Sequence, residues 1–386
     1  MVTESPDAVI VGGGLIGLGI AWQASSLGCR VAVVDPEPGK GASWAAAGML
    51  APVTEAHFGE EALIRLNVAG AAAYPAFVAA LEAETGLSCG YRDCGTLAVG
   101  FDADDMRGLD DLAEFRRGLG LEAERLSGRE CRKLEPALVP GVWGGVHVAT
   151  DHQVDNRRLV RALLTAVTRR AAIVRQRAAH VLVERGRVRG VRLDDGRVLP
   201  ASRVVIAAGC WSRGIGGLPD PARPPVRPVK GQILRLRVPT AAPLLGRTLR
   251  WLVQGSPGYL VPRADGELVL GATSEERGFD VEVTAGAAHE LLRDAHRLVP
   301  GISEAALIEF RAGLRPGSPD NAPILGQTEV DGLVLATGHH RNGVLLTPLT
   351  ARAIASLLMT GRTDPLIAAF SPGRFAGVTS GAGAGG

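Results

Sequence analysis

The sequence predicts an α/β fold: a nucleotide-type domain assembled from the N-terminus, the middle and the C-terminus, joined to a second domain of mostly antiparallel β structure with helices. Three observations predict it. An apolar run, a glycine turn and a helical pattern open the chain and lead into a second apolar run. The middle alternates short strands with glycine turns. A buried strand and a helix then return near the C-terminus.

Asp7 to Val11 reads as a buried strand, Gly12-Gly13-Gly14 as a turn, and Leu15 to Leu27 as a helix with Gly28 at its C-terminal cap. Arg30 to Val34 is a second strand, ending at Asp35. Glu60 to Thr85 reads as one Ala-rich helix stopped by Gly86, followed by a strand from Tyr91 to Gly100. Asp104 to Leu119 looks helical, and a loop-rich stretch runs to Trp143. Asn156 to Arg170 is helical, with Asp155 or Asn156 as N-cap. Short strands at Val181–Glu184, Val188–Leu193 and Arg197–Leu199 form a meander, and Val204 to Ala207 is another buried strand. After the Pro-rich crossing Pro219–Pro228 come strands at Gly231–Val238, Tyr259–Pro262 and Leu268–Ala272. Helix Ala287–Leu298 and strand Leu307–Ala312 follow. Leu333–Thr337 closes the nucleotide domain, with a helix starting near Thr347-Pro348. Residues 1–88, 147–222 and 316–375 are assigned to the nucleotide domain and 89–146 and 223–315 to the second. The Gly/Ala-rich residues 376–386 read as a disordered tail.

The bulk numbers exclude several classes. With 42 basic and 40 acidic residues there is no basic block for nucleic acid. Lysine occurs only at 40, 133 and 230, so arginine supplies the rest. Cysteines at 29, 89, 94, 131 and 210 are odd in number and lack CxxC spacing, which argues against disulfides or zinc and for a reducing cytoplasm. The uncharged stretch Ala8–Cys29 could imitate a membrane span. Its three consecutive glycines and its Gln23, Ser25 and Ser26 fit strand, turn and helix better.

Gly12-x-Gly14-x-x-Gly17 lies between a strand and a helix. Gly12 permits a tight turn, Gly14 lets backbone approach a pyrophosphate, Gly17 lets helix and strand pack closely, and the helix N-terminus faces the phosphates. Asp35, 18 residues beyond Gly17, can hold ribose hydroxyls. The motif does not separate NAD from FAD. The small-residue run Gly41–Met49 suits either a flat ligand or a tightly packed helix start. Val204–Gly209 suits either an adenosine or a plain core strand.

These segments, with Pro228–Gly231, Gly258–Arg263, Ala312–Gly317 and Gly338–Gly343, resemble the D-amino acid oxidase superfamily of flavoproteins, and within it the glycine oxidase branch of thiamine biosynthesis. The resemblance runs from about Asp7 to about Phe370. It implies a Rossmann-like FAD-binding domain and a substrate domain. Leu15 and Ile16 would lie in the phosphate turn, Asp35 on ribose, Ala42 and Ser43 at the pyrophosphate, and Ala47, Gly48 and Met49 along the flavin. Ala179 would meet adenine, Gly209 would lie beside the cofactor, and His339, His340, Arg341, Asn342, Gly343, Val344 and Leu345 would wrap the ring. Arg315 would grip a substrate carboxylate from a constrained loop, Tyr259 would hydrogen-bond it, and Arg341 and Met49 would sit beside it.

The implied activity is oxidative deamination of glycine, or of small amines such as sarcosine or D-alanine. O2 is the acceptor, the products are glyoxylate, ammonia and H2O2, and the purpose is thiazole synthesis. FAD would be non-covalent, because no cysteine follows Cys210, where sarcosine oxidases attach theirs near positions 312–318. Pro257 stands where some glycine oxidases carry a histidine. Relatives are often homotetramers, and no metal, nucleic acid or membrane is implied. The rival readings are a sarcosine or D-amino acid oxidase, a flavin dehydrogenase with another acceptor, a flavoprotein with structural FAD, and a nicotinamide dehydrogenase.

Overall fold

The computed structural model describes residues 5–375, so the expected tail lies outside the described residues. Its first sheet runs Ile324–Gln327, Leu333–Thr337, Arg203–Ile206, Ala8–Val11, Val31–Val34, Ala172–Val174. All neighbours are parallel except the antiparallel edge strand Ile324–Gln327. Alternation splits each strand between two cores. Ala8, Ile10, Val31, Val33, Val205 and Val334 face helices Leu15–Ser26, Asn156–Thr168 and Thr347–Thr360. Val9, Val11, Ala32, Val34, Val204 and Leu333 face the three-stranded meander Ala178–Pro200. Burial on both faces is why these strands read as continuous apolar runs.

The second sheet runs Ala306–Gly317, Arg227–Arg237, Glu267–Gly271, Ser256–Pro262, Thr248–Val253, Thr96–Gly100, Gly144–Val148, Glu124–Ser127. It is antiparallel apart from the pair Thr248–Val253 and Thr96–Gly100. One face packs Leu234, Leu249, Trp251, Leu260 and Leu270 against helix Ala285–Leu298. The other face carries Ile233, Tyr259, Val261 and Val269. Register fixes what shares that face. Tyr259 stands across from Gly271, Gly271 from Ile233, Gly231 from Gly313, and Val229 from Arg315. Directly opposed residues project to the same side, so Tyr259 and Arg315 lie on one wall.

Several expectations need correction. Arg315 is not on a loop but in the twelve-residue strand Ala306–Gly317. That strand is a sheet edge, where Pro316 is tolerated because its missing N–H breaks no central ladder. The expected helix Glu60–Thr85 is two helices, Glu61–Ala72 and Tyr74–Thr85, because Pro75 enters the first turn of the second and cannot donate backward. By length and composition Glu61–Thr85 could cross a membrane, but 44% of its apolar window is buried inside the fold. The strand expected from Tyr91 begins at Thr96. Strand Thr248–Val253 has no clear signal in the sequence, since Arg250 interrupts its apolar run. The loop-rich stretch to Trp143 contains strand Glu124–Ser127 and helix Gly128–Leu134, which opens on a capping box between Ser127 and Glu130.

Candidate active site

The cavity wall of the second sheet faces the C-terminal ends of the parallel strands, and between them lies a cavity of about 630 Å³. That is where open α/β sheets bind ligands. Of the residues singled out in the sequence, it is lined by Gly12, Gly14, Leu15, Ile16, Asp35, Ala42, Ser43, Ala47, Gly48, Met49 and Gly209. Tyr259, Arg315, His339, His340, Arg341, Gly343 and Val344 complete that set. Four others stand behind it. Gly17 packs on the turn, where an added Cβ would lie 1.9 Å from the Gly12 carbonyl oxygen. Asn342 spends its backbone holding the loop, accepting from Leu346 N and donating to the His339 carbonyl. Leu345 is in the core. Ala179 accepts from Gly216 N, and alternation turns its neighbour Ala178 to the cavity in its place.

The glycine turn is tied down before any ligand arrives. Gly12 has φ +112°, and a Cβ there would meet the Ala207 carbonyl oxygen at 2.3 Å. Asp35 accepts from Gly13 N (2.6 Å) and Glu37 N (2.8 Å), and Ser43 Oγ accepts from Leu15 N (2.9 Å). The N-cap residue Gly14 brings no side chain to helix Leu15–Ser26 and the first turn has no acid, so apart from Leu15 N, taken by Ser43, its positive end is open to an anion.

Sequence reasoning missed the arginines behind the segment Ala42–Met49. Arg263 is buried and donates to the Val154 and Ala47 carbonyls, fixing the turn at Gly48. Arg235, paired with Glu267, reaches the Ala46 carbonyl, and Arg157, paired with Glu309, reaches that of Trp44. Asn156 donates to the Ser43 (2.8 Å) and Trp44 (3.1 Å) carbonyls. Gly48 has φ +77°, and a Cβ there would strike the Val154 carbonyl oxygen at 2.0 Å. No spacing in the sequence distinguishes these arginines from surface ones.

At the other end Arg315 donates to the Thr273 carbonyl (3.2 Å) and weakly to that of Lys230 (3.5 Å). Its guanidinium lies so close over Gly231 that a Cβ there would come within 2.4 Å of it. Tyr259 similarly covers Gly271. Burial pulls the Arg315 guanidinium below its usual range; Tyr259 and Glu55 oppose this and Arg341 adds to it. Among the described residues no carboxylate pairs with Arg315. Burial, with Arg341, Arg315 and Arg227 nearby, lowers the His340 imidazole to about 4. His339 is buried, bonds to Thr350 Oγ1 (3.1 Å), and is lowered to about 3. Among the described residues no group of three or more His, Cys, Asp or Glu could hold a metal.

The family model "DAO: FAD dependent oxidoreductase" matches residues 7–357. The chain belongs to this family. Among its relatives, the "Bifunctional protein ThiO/ThiG" of Trichormus variabilis is 37% identical over 371 residues, which is 96% of this chain. This chain spans about half of that relative, 55% of its length. A glycine oxidase of Geobacillus kaustophilus is 34% identical over 380 residues, 97% of this chain and 99% of that protein. The crystal structure of glycine oxidase from Geobacillus kaustophilus matches with a TM-score of 0.87 and 32% identity, covering 96% of this chain and 98% of that one.

In a member of the DAO family this cavity has to accept FAD, and its residues fit that group. The turn is glycine where side chains would meet backbone, and the helix N-terminus above it carries no acid and no cap from its own N-cap residue. Asp35 retains free lone pairs for ribose beyond its two backbone bonds. The long wall from Ala42 to Met49 presents small side chains to a flat ligand.

Proposed function

We propose that the chain oxidises glycine, and small amines such as sarcosine or D-alanine, with O2, giving glyoxylate, ammonia and H2O2. The observation that carries this is Arg315, a guanidinium on the cavity wall with two carbonyl contacts and no carboxylate among the described residues. A planar fork in that state is a receptor for a carboxylate, which it can grip with two parallel bonds. Tyr259 stands on the same wall with a hydroxyl able to donate to the same carboxylate. Met49 and Ile233 supply apolar surface beside them, which keeps water from the substrate's Cα.

FAD would be held without a covalent bond by Gly12, Gly14, Leu15, Ile16, Asp35, Ala42, Ser43, Ala47, Gly48, Gly343 and Val344, and would supply the two-electron acceptor. The chain's own contribution is orientation: Arg315 fixes the carboxylate, and the strand register fixes Arg315. Net, one glycine, one O2 and one water give glyoxylate, ammonia and H2O2. The glycine oxidase name of a relative supports the substrate, and supply of thiazole synthesis for thiamine belongs to the same proposal. Five free thiols support a cytoplasmic setting, and a homo-oligomer belongs to the same reading.

Anaerobic mixing of the yellow protein with glycine tests the proposal. The visible band near 450 nm should bleach and return with air as peroxide appears. A band unmoved by glycine, sarcosine and D-alanine would overturn it.

A further inference from the structure

Beside Tyr259 the cavity carries a charged pair that no sequence motif marks. Arg250 stands directly across the strand pair from Tyr259, so both side chains project to the cavity face. Its guanidinium bonds Glu55 at 2.5 Å and lies 3.8 Å from the Met49 sulfur. Glu55 lines the cavity with Met49 and Tyr259, while Arg250 sits behind them. The two side chains are only 18% and 14% exposed, so solvent does little to screen them.

The segment delivering Glu55 is held from beneath. The buried Asp151 carboxylate accepts from Val53 N (3.0 Å), Thr54 N (2.7 Å) and Thr54 Oγ1 (2.6 Å). Buried Arg116 donates to the Thr54 (2.8 Å) and Ala56 (3.4 Å) carbonyls. Glu55 is therefore a placed group and not a loop charge that has drifted inward. Burial raises its carboxyl, but Arg250, with Arg341 behind it, outweighs that and holds it below its usual range.

Three guanidinium groups, of Arg315, Arg341 and Arg250, act on this end of the cavity. Among the described residues only that of Arg250 has a carboxylate partner. Arg341 is exposed, where water screens it. We infer that Glu55 is a specificity-determining residue: by cancelling Arg250 it leaves the half-buried Arg315 as the anion receptor and biases the site towards amines with one carboxylate over amines with two. A second carboxylate reaching that wall must displace a positioned partner of Arg250 and meet its like charge. Selectivity then comes from a built-in repulsion as much as from an attraction. This rests on the reading of Arg315 as the receptor for the substrate carboxylate.

The test uses the FAD-loaded protein and two unreactive ligands, glycolate with one carboxylate and oxydiacetate with two, titrated by their perturbation of the visible spectrum. Glu55→Gln should improve the oxydiacetate-to-glycolate affinity ratio by about tenfold or more, the effect of freeing one buried charge. Glu55→Gln/Arg250→Gln, which leaves no unpaired charge, should restore the wild-type ratio to within about threefold. The ratio of kcat/KM for iminodiacetate over glycine should move in the same sense. An unmoved ratio in Glu55→Gln, or a shift that persists in the double variant, would overturn the inference. If Glu55→Gln does not fold, Arg250→Gln decides: it leaves Glu55 as an unpaired acid, so the oxydiacetate-to-glycolate ratio should worsen by about tenfold, and an unmoved ratio would overturn the inference. Binding ratios that move as expected in a protein that oxidises no small amine would uphold Glu55 and remove the proposed activity. Turnover of glycine with unmoved ratios would do the reverse.

Discussion

Replacing Arg315 by alanine removes a half-buried guanidinium of the cavity wall that has no carboxylate partner among the described residues. Truncating one member of a buried charge pair costs about 2–5 kcal/mol. Arg315 is partly open to the cavity, so the lower part of that range applies, about 2–4 kcal/mol. At about 1.4 kcal/mol per tenfold this is a loss of about 30- to 1,000-fold in kcat/KM. It should fall mainly on KM, because the carboxylate is gripped alike before and during reaction. The fold should lose less: Arg315 gives up one charged bond of 3.2 Å and a weak one of 3.5 Å to carbonyls, about 1.5–2 kcal/mol. Oxygen consumption against glycine concentration, with melting of the loaded protein as control, measures both effects. Arg315→Lys keeps the charge without the fork and should recover part of the loss. A fall in kcat/KM below about threefold, less than 1 kcal/mol, would refute the assignment.

Two further outcomes follow from the walls of the cavity. Gly48→Ala forces a Cβ to 2.0 Å from the Val154 carbonyl oxygen at φ +77°, whereas Gly28→Ala, at φ +88°, meets open space. The first should cost at least about 2 kcal/mol and loosen FAD, the second about 1 kcal/mol, by melting of the apoprotein and FAD titration. His339 is lowered from 6.5 to about 3, so its neutral ring stabilises the fold fully above pH 6.5, and this stability drains away as pH falls towards 3. Between pH 6.5 and 5 that is about 2 kcal/mol, and urea unfolding of His339→Asn should show a correspondingly shallower pH dependence.

The opening strand, turn, helix and strand were legible because burial on both faces leaves continuous apolar runs, and because a glycine turn needs glycine. Leu333–Thr337 and the helix from Thr347 were legible for similar reasons. The break at Ala73 was missed although Pro75 announces it, since the Ala-rich pattern continues through the break with little change. Ser127 and Glu130 mark a helix inside the stretch whose composition reads as loop-rich. Arg315 was placed on a loop by its glycines and proline. An edge strand accepts both, and only strand pairing reveals that Gly231 clears space in the sheet for its guanidinium, while Gly313 clears space for Ala45.

The remainder was illegible for a different reason. Arg157, Arg235, Arg250 and Arg263 each matter through a partner far away in the chain: Trp44, Ala46, Glu55 and Ala47. Sequence spacing carries no trace of such contacts, and in an arginine-rich chain the residue type carries none either. All four partners belong to the stretch from Trp44 to Glu55, which is also where the small residues of the cavity wall lie. The composition of that stretch allows a ligand to approach, but small side chains alone cannot hold a backbone in place. Buried Arg235 and Arg263 and half-buried Arg157 and Arg250 do so by donating to its carbonyls and to Glu55. The two ends of the cavity are therefore one mechanical unit, and a change at Arg235 or Arg263 should be felt at both.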